Sequence, residues 1–319
     1  MPTKVPGNRV QLTLAIRRAI AAAMASGAAA TALAQDNTRF AGLDGVAKGV
    51  QSGTELVVNS SAGNFDGECG VAVDGCSLAD ALVVANQQSP QPVSITFDPA
   101  VMTGATIMLT STLPPVTGNI TVTGLAGLTI QREPALGCSF NNELDAGEFR
   151  LLTVSRGSLD LADITLAGGC ADSIDGGALA AGAPVTLRRV TLQGNSASSG
   201  GGVATSAAPL TLVDSTVTGN YAEDYGGGVY GNGCDVSLIQ STISGNTAEN
   251  GGGGLFLFGS SAGDHRVIDS TIAYNFGLEG AALALNGADL VAERSLLAGS
   301  ESLLLCLICC GQVNAKDVL

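Results

Sequence analysis

The sequence predicts an all-β protein, a single-stranded parallel β-helix (solenoid) fronted by a short N-terminal capping helix. Three observations lead there. A block recurs about every 26 residues: Val185-Thr-Leu-Arg-Arg-Val-Thr-Leu-Gln-Gly-Asn195 returns as Leu210-Thr-Leu-Val-Asp-Ser-Thr-Val-Thr-Gly-Asn220 and as Val236-Ser-Leu-Ile-Gln-Ser-Thr-Ile-Ser-Gly-Asn246, then more loosely from His265 to Asn275 and from Leu290 to Ser300. A period that short belongs to a solenoid, in which each repeat buries its apolar face only against its neighbours. Within a block, apolar and polar residues alternate at period two, the pattern of a strand with one buried side. The composition agrees: 44 glycines, no tryptophan and 13% charged residues in a chain of 319 suit short strands joined by tight turns.

Residues 1–34 read as a unit apart. Lys4, Arg9, Arg17 and Arg18 precede an alanine-rich apolar run from Ala19 that ends in Ala32-Leu33-Ala34, the pattern of a secretory signal peptide cleaved before Gln35. Its weakly apolar run falls short of the ~20 residues that span a bilayer, so the mature chain is expected to carry no transmembrane segment. Residues 35–53 read as a linker. Without the leader, 10 basic residues stand against 28 acidic ones, a formal charge of −18. Such a surface repels phosphate, which excludes nucleic acid as a partner. In an oxidising compartment the eight cysteines are expected to pair: Cys69 with Cys76 across a short glycine-containing loop, and Cys138 with Cys170 as a staple between neighbouring turns. Cys234 has no evident partner.

Residues 54–300 make up the predicted solenoid, with 54–92 its N-terminal cap region and 93–300 its coils. A strand near Leu56-Val57-Val58 precedes Ser77-Leu78-Ala79-Asp80, whose spacing is that of a capping box, and a short helix through Ala81-Leu-Val-Val-Ala85 is expected to lie across the first coil and cover its edge. In the repeats, Leu187, Leu212 and Leu238 form one inward column, and Leu192, Val217, Ile243, Ile272 and Leu297 form another. Val190, Ser215, Ser241, Ser270 and Ser295 form a third, mostly hydroxyl, predicted to bond as a ladder. The starts Gly176-Gly177-Ala178-Leu179, Gly201-Gly202-Val203-Ala204, Gly227-Gly228-Val229-Tyr230 and Gly253-Gly254-Leu255-Phe256 open a second strand, where bare backbone permits a bend and close approach between coils. Asn195, Asn220, Asn246 and Asn275 are expected to stack as a hydrogen-bonded ladder at a turn tolerant of left-handed dihedrals. About three strands per turn in seven to nine coils give a rod core about 35 to 45 Å long. Residues 301–319, with the apolar run Leu303-Leu-Leu-Cys-Leu-Ile-Cys-Cys310, read as an atypical tail, truncated or frame-shifted, that leaves the coil pattern.

Cys76-Ser77-Leu78-Ala79-Asp80-Ala81-Leu82 resembles the CSLREAI motif of bacterial exported right-handed parallel β-helix proteins, departing from it at Ala79, Asp80 and Leu82. Ile95-Thr-Phe-Asp98, Leu113-Pro-Pro-Val116 and Ile120-Thr-Val-Thr-Gly124 are similar to that family's early coils, and the Gly-Gly and Gly-Asn blocks resemble the repeat of polymorphic outer membrane proteins. Together they span roughly residues 54 to 300. The resemblance implies an exported, pectate-lyase-like β-helix at the cell surface or outer membrane, or shed from it, often with an adhesive role; it implies no catalytic residues.

Parallel β-helices also degrade polysaccharides, by lyase chemistry that needs a base or by hydrolysis that needs two positioned carboxylates. Asp214, Glu223, Asp224, Asp235, Asp264 and Asp269 fall at different points of the coil, not in one column, and read as solvated turn acids. His265 aligns with Val185, Leu210 and Val236 and reads as a strand-start residue at the coil's edge. Arg188 and Arg189, adjacent on a strand, are expected to face opposite sides. Cys306, Cys309 and Cys310 lack a second ligand pair, so no metal and no cofactor is expected. The candidate binding residues are Tyr230 and Phe256. If Val229 and Leu255 point inward, these rings point outward one coil apart, a platform on which a sugar or peptide stacks; with the register reversed, both rings lie in the core. The expected protein is a non-catalytic exported rod, adhesin-like or a scaffold, with extracellular polysaccharide or a surface protein as partner. The alternatives are a polysaccharide lyase or glycoside hydrolase on the same fold, and an incomplete autotransporter-type passenger.

Overall fold

The computed structural model describes residues 55–62, 69, 75–141, 143–259, 265–299, 305–308 and 313–318; the expected leader and linker lie outside them. The described chain is a parallel β-solenoid with three sheets running along it. The first sheet has ten strands, from Glu55–Val58 through Val185–Arg188, Leu210–Val213 and Val236–Ile239 to Val313–Lys316. The twelve-stranded second sheet turns a corner: Thr191–Gln193, Thr216–Thr218 and Thr242–Ser244 lie on one side, and the short strands Cys170–Ala171, Ser196–Ala197, Tyr221–Ala222 and Thr247–Gly251 on the other. The nine-residue strand Thr271–Glu279 joins the two sides. The third sheet has seven strands, from Leu152–Val154 through Val203–Ser206, Val229–Asn232 and Leu255–Phe258 to Leu305–Ile308.

Stacking follows the sequence repeat residue for residue. Leu187 pairs with Leu212 and Leu212 with Leu238, while Leu192, Val217, Ile243 and Ile272 pair in succession. All seven are at most 1% exposed, so each coil closes the apolar interior left open by the last. Two polar ladders run inside this shell. The amide of Val190 donates to Ser215 Oγ, that of Ser215 to Ser241 Oγ, that of Ser241 to Ser270 Oγ and that of Ser270 to Ser295 Oγ, at 3.0 to 3.1 Å. Each of these serine hydroxyls donates in turn to the carbonyl two residues before it. The side-chain amides of Asn195, Asn220 and Asn246 donate to the Oδ1 of the next asparagine at 2.9 Å, ending on Asn275. They donate also to backbone carbonyls of the preceding coil. Buried polar groups are tolerable because these are paired.

The turns differ from expectation in one respect. The left-handed residue ahead of each asparagine is Gly194, Gly219, Gly245 or Tyr274, with φ of 61°, 63°, 66° and 58°; the asparagine itself turns inward and serves the ladder. At the opposite corner Asp163, Arg189, Asp214, Gln240, Asp269 and Arg294 are all left-handed. This corrects the expectation for Arg188 and Arg189. A left-handed residue breaks the alternation of a strand, so both side chains are exposed, and they pair with acids of the preceding coil, Arg188 with Asp160 and Arg189 with Asp163. The glycine-led turns do approach other backbone closely: a Cβ on Gly201, Gly227 or Gly253 would lie 2.2 to 2.3 Å from the carbonyl oxygen of Tyr221, Thr247 or Phe276.

At the N-terminal end the helix Leu78–Gln87 starts at Ser77, whose hydroxyl accepts from the Asp80 amide while the Asp80 carboxylate accepts from the Ser77 amide. It packs against the first three strands of the ten-stranded sheet. Asn86 ties it down by donating to Pro115 O at 2.7 Å and accepting from the Thr117 amide at 2.8 Å. At the other end, Leu305–Ile308 pairs in parallel with Leu283–Asn286 and Val313–Lys316 with Leu290–Glu293. The tail therefore adds to the coils beyond residue 300 instead of leaving their pattern, because its apolar run still supplies a pairing strand. Cys309 and Cys310 lie outside the described residues. No helix among the described residues is long and apolar enough to cross a membrane.

Candidate ligand-binding face

Tyr230 and Phe256 do point outward from the third sheet, opposite the inward Val229 and Leu255, yet they form no exposed platform. Tyr230 is 8% and Phe256 0% exposed, packed in a separate small cluster with Ala204, Ala284, Tyr225 and Phe258. The turn before each strand folds back over it: Gly226 and Gly252 lie so close that a Cβ on either would meet the carbonyl oxygen of Val229 or Leu255 at 2.3 or 2.2 Å. Tyr225, carried on such a turn, covers Phe256 with ring centroids 4.5 Å apart. Burial raises the Tyr225 hydroxyl to about 12, the nearby Asp224 adding to it. Asp175 is pushed up to about 6 by burial, against the pull of Arg150, itself only 2% exposed. An arginine thus sits beside acids here, but under cover, where no polymer reaches it.

The aromatic rings that do reach solvent lie at the corner that the short strands make. Cys170, Ser196, Tyr221, Thr247 and Phe276 pair in succession along one column. Ala171, Ala197, Ala222 and Ala248 are the inward neighbours, at most 1% exposed, so alternation turns the column outward and turns the following residues, Asp172, Ser198, Glu223, Glu249 and Leu278, outward as well. Phe276 is 45%, Leu278 68% and Tyr274 80% exposed. Tyr274 holds a left-handed φ of 58° where three other coils have glycine, a cost of order 1 kcal/mol or more for a side chain.

One loop completes the face. Residues 133–148 leave the coil after Thr129–Arg132 and fold against the corner, held by the Cys138–Cys170 disulfide. Arg132 pins the loop from beneath, donating to the carbonyls of Gly137, Gly147 and Gly168. Its guanidinium pKa is lowered by burial and partly restored by Glu148. The loop delivers Phe140, half exposed, edge-on to Tyr221 with ring centroids 4.8 Å apart, and the Asn141 amide donates to Asp172 at 2.8 Å. Tyr221 donates its hydroxyl to Glu249 at 2.5 Å, and its own ionisation is raised by burial and by that bond. Glu223 is pushed up to about 7, first by burial and then by Asp172, to which it is hydrogen-bonded, with Asp224 and Glu249 adding to the effect. The face therefore presents aromatic rings about 10 Å apart along the rod, two rungs from Tyr221 to Phe276, with carboxyl groups between them.

Sequence reasoning did not assemble this face. Glu223 read as an isolated turn acid, whereas Asp172, Glu223 and Glu249 share one outward position of the corner. The signal was present: in each block the second outward residue after the ladder asparagine is Ser198, Glu223, Glu249 or Leu278. Phe140 carried no such signal, since its loop interrupts the repeat. His265 is fully buried, starts its strand and accepts at Nδ1 from the Val236 amide at 3.1 Å, a position inside the wall instead of at its edge. The disulfides join Cys69 to Cys76 and Cys138 to Cys170 as expected, and among the described residues Cys234 is a free, buried thiol whose pKa burial raises. Two shallow hollows of about 380 and 300 Å³ lie elsewhere, one beside Asp163 and Arg189 and one along Thr121, Asp160, Thr186 and Thr211; neither is lined by an aromatic ring. No protein-family model matches this chain, and no curated protein or solved structure is significantly similar to it.

Proposed function

We propose that this protein is an exported, non-catalytic surface rod that binds polysaccharide along the corner bearing Phe140, Tyr221, Tyr274 and Phe276. The observation that carries the reading is the row of solvent-reaching rings interleaved with carboxyl groups. Rings stack on the apolar faces of sugars and carboxylates accept from their hydroxyls. The separation of Tyr221 and Phe276, about 10 Å, is comparable with the repeat of a β-linked disaccharide. The acidic surface disfavours sulfated or uronate-rich chains and favours neutral or amino sugars. Export is supported by the leader pattern and agrees with the two disulfides.

The test is an array of neutral, amino and acidic glycans probed with the chain from Gln35 onward, each hit followed by product analysis. Binding is expected to weaken at least tenfold in Tyr221→Ala and in Phe276→Ala with little change in melting temperature. Absence of any glycan bound by the parent chain, or retention of full affinity by both variants, would remove the proposal. A hydrolase is the second reading, favoured by one observation: Glu223, at about 7 beside Asp172, has the ionisation of a general acid at neutral pH. Released oligosaccharide that disappears in Glu223→Gln would replace the first reading by this one.

A further inference from the structure

The staple at the corner has a third partner. The Sγ atoms of Cys138 and Cys170 and a carboxylate oxygen of Glu148 all lie within 4.8 Å of one another. Ser196 Oγ stands 3.3 Å from Cys138 Sγ. Cys170 is 1% and Glu148 6% exposed. Glu148 is aimed by its own donors: the Ser139 amide and hydroxyl reach one carboxylate oxygen at 2.5 and 2.6 Å, and the Asp145 amide reaches the other at 3.0 Å. Both ends of the staple are fixed, Cys170 in the ladder and Cys138 in the loop that Arg132 pins. Their Cα atoms are 5.9 Å apart. In a tetrahedral site with metal–sulfur bonds of about 2.3 Å the sulfurs stand about 3.8 Å apart, a change that side-chain rotation supplies without moving the backbone.

From this geometry we infer that the Cys138–Cys170 disulfide alternates with a metal site, Cys138, Cys170 and Glu148, for a zinc-class divalent cation. A dithiol reductant opens the disulfide: it gives up two electrons and two protons, becomes a disulfide itself, and leaves two thiols beside the buried Glu148. Deprotonating those thiols with no cation present would collect negative charge in a place poor in water. A divalent cation removes that obstacle by taking both sulfurs and one Glu148 oxygen as ligands, two protons leaving to solvent, with water or Ser196 Oγ at the fourth position. Soft sulfur donors with a single oxygen select zinc, cadmium or cobalt over calcium or magnesium. Either linkage keeps Phe140 docked on Tyr221, so the corner survives loss of its disulfide when such a cation is present. This inference is independent of what the corner binds.

The experiment uses the full chain with Cys306, Cys309 and Cys310 replaced by serine, reduced by a phosphine without oxygen and titrated with cobalt(II), then zinc. Thiolate-to-cobalt absorption is expected to saturate at one equivalent more than in the same protein carrying Cys138→Ser and Cys170→Ser, and to be displaced by zinc. Glu148→Gln is expected to keep the absorption but weaken binding at least tenfold, and the oxidised protein is expected to lack this equivalent. Should the double serine variant fail to fold, zinc is expected to slow alkylation of Cys138 and Cys170 in the reduced parent at least tenfold, read by mass spectrometry. Equal cobalt stoichiometry with and without the two cysteines, unchanged affinity in Glu148→Gln, or alkylation indifferent to zinc would each overturn the inference.

Discussion

In the ten-stranded sheet each repeat block contributes four paired residues, and successive coils present nearly the same ones: Leu187, Leu212 and Leu238 inside, Thr186, Thr211 and Ser237 outside. At the corner of the short strands the inside is equally uniform, Ala197, Ala222 and Ala248, but the outside changes at every rung, from Ser196 to Tyr221, Thr247 and Phe276. The wall repeats on both sides; the corner repeats on one. Interior positions are constrained by the coils above and below and tolerate little change in volume. Outward positions at the corner are less enclosed, Ser196, Tyr221 and Thr247 being part-buried and Phe276 exposed, so a ring or a carboxyl there meets fewer packing constraints than one in the interior. A loop crosses this corner as well, and the disulfide that holds it occupies the first position of the same outward column. Repetition therefore marks what builds the rod, and departure from repetition marks where exposed rings and carboxyl groups are placed.

Breaking the wall should have the largest effect. Leu212→Asp buries a charge between Leu187 and Leu238, at a position 0% exposed, and should cost more than about 4 kcal/mol; secretion and a melting curve like the parent's would show that the column does not face the core. Asn220→Ala comes next. It takes from the Asn195 side-chain amide its ladder acceptor and from Asn246 Oδ1 its side-chain donor, while the Asn246 bond to Asn275 remains, at a cost of about 2 to 4 kcal/mol, read by denaturant unfolding.

The corner's acids sharpen the comparison. Glu223 is a carboxyl whose folded pKa, about 7, stands above its unfolded value of 4.5. The folded state therefore binds the extra proton between these values, and the stability this group contributes at acid pH is lost as pH rises from about 4.5 to about 7. Water screens a partly exposed carboxyl, so the loss should stay below about 1 kcal/mol. Unfolding measured across that window should flatten in Glu223→Gln; an unchanged slope would assign it to Asp175, raised to about 6 under the covering turns. Smallest of all, Thr247→Ala on the corner's outer column should alter stability by only about 0.5 kcal/mol. A loss as large as that in Asn220→Ala would erase the distinction between the corner's two sides.

Legibility in the sequence followed the same division. The columns of Leu187 and Leu192 and the serine and asparagine ladders could be read because residues at equal positions of equal repeats must stack, while the Ser77–Asp80 capping box and both disulfide pairs could be read from local spacing and proximity along the chain. For Tyr230 and Phe256 alternation left two registers open, outward as a platform or inward in the core, and the structure follows neither fully: the rings point out from the sheet yet are buried, since alternation says nothing of what chain folds over a side chain. The outward turn of both Arg188 and Arg189 was hidden for a related reason, a single left-handed residue whose dihedral does not appear in the pattern of apolar residues. The tail from residue 301 looked foreign because its Leu-rich run lacks the repeat's threonines, although strand pairing asks only for a free edge.

The sequence by itself determined the solenoid, its period and its inward columns, since all of these are one-dimensional consequences of a repeated alternation. Only the tertiary structure decided which outward rings meet solvent and how a loop from residues 133–148 brings Phe140 to Tyr221. Those relations join residues whose separation is not a multiple of the repeat, or depend on covering turns, and they exist only once the coils have closed on one another.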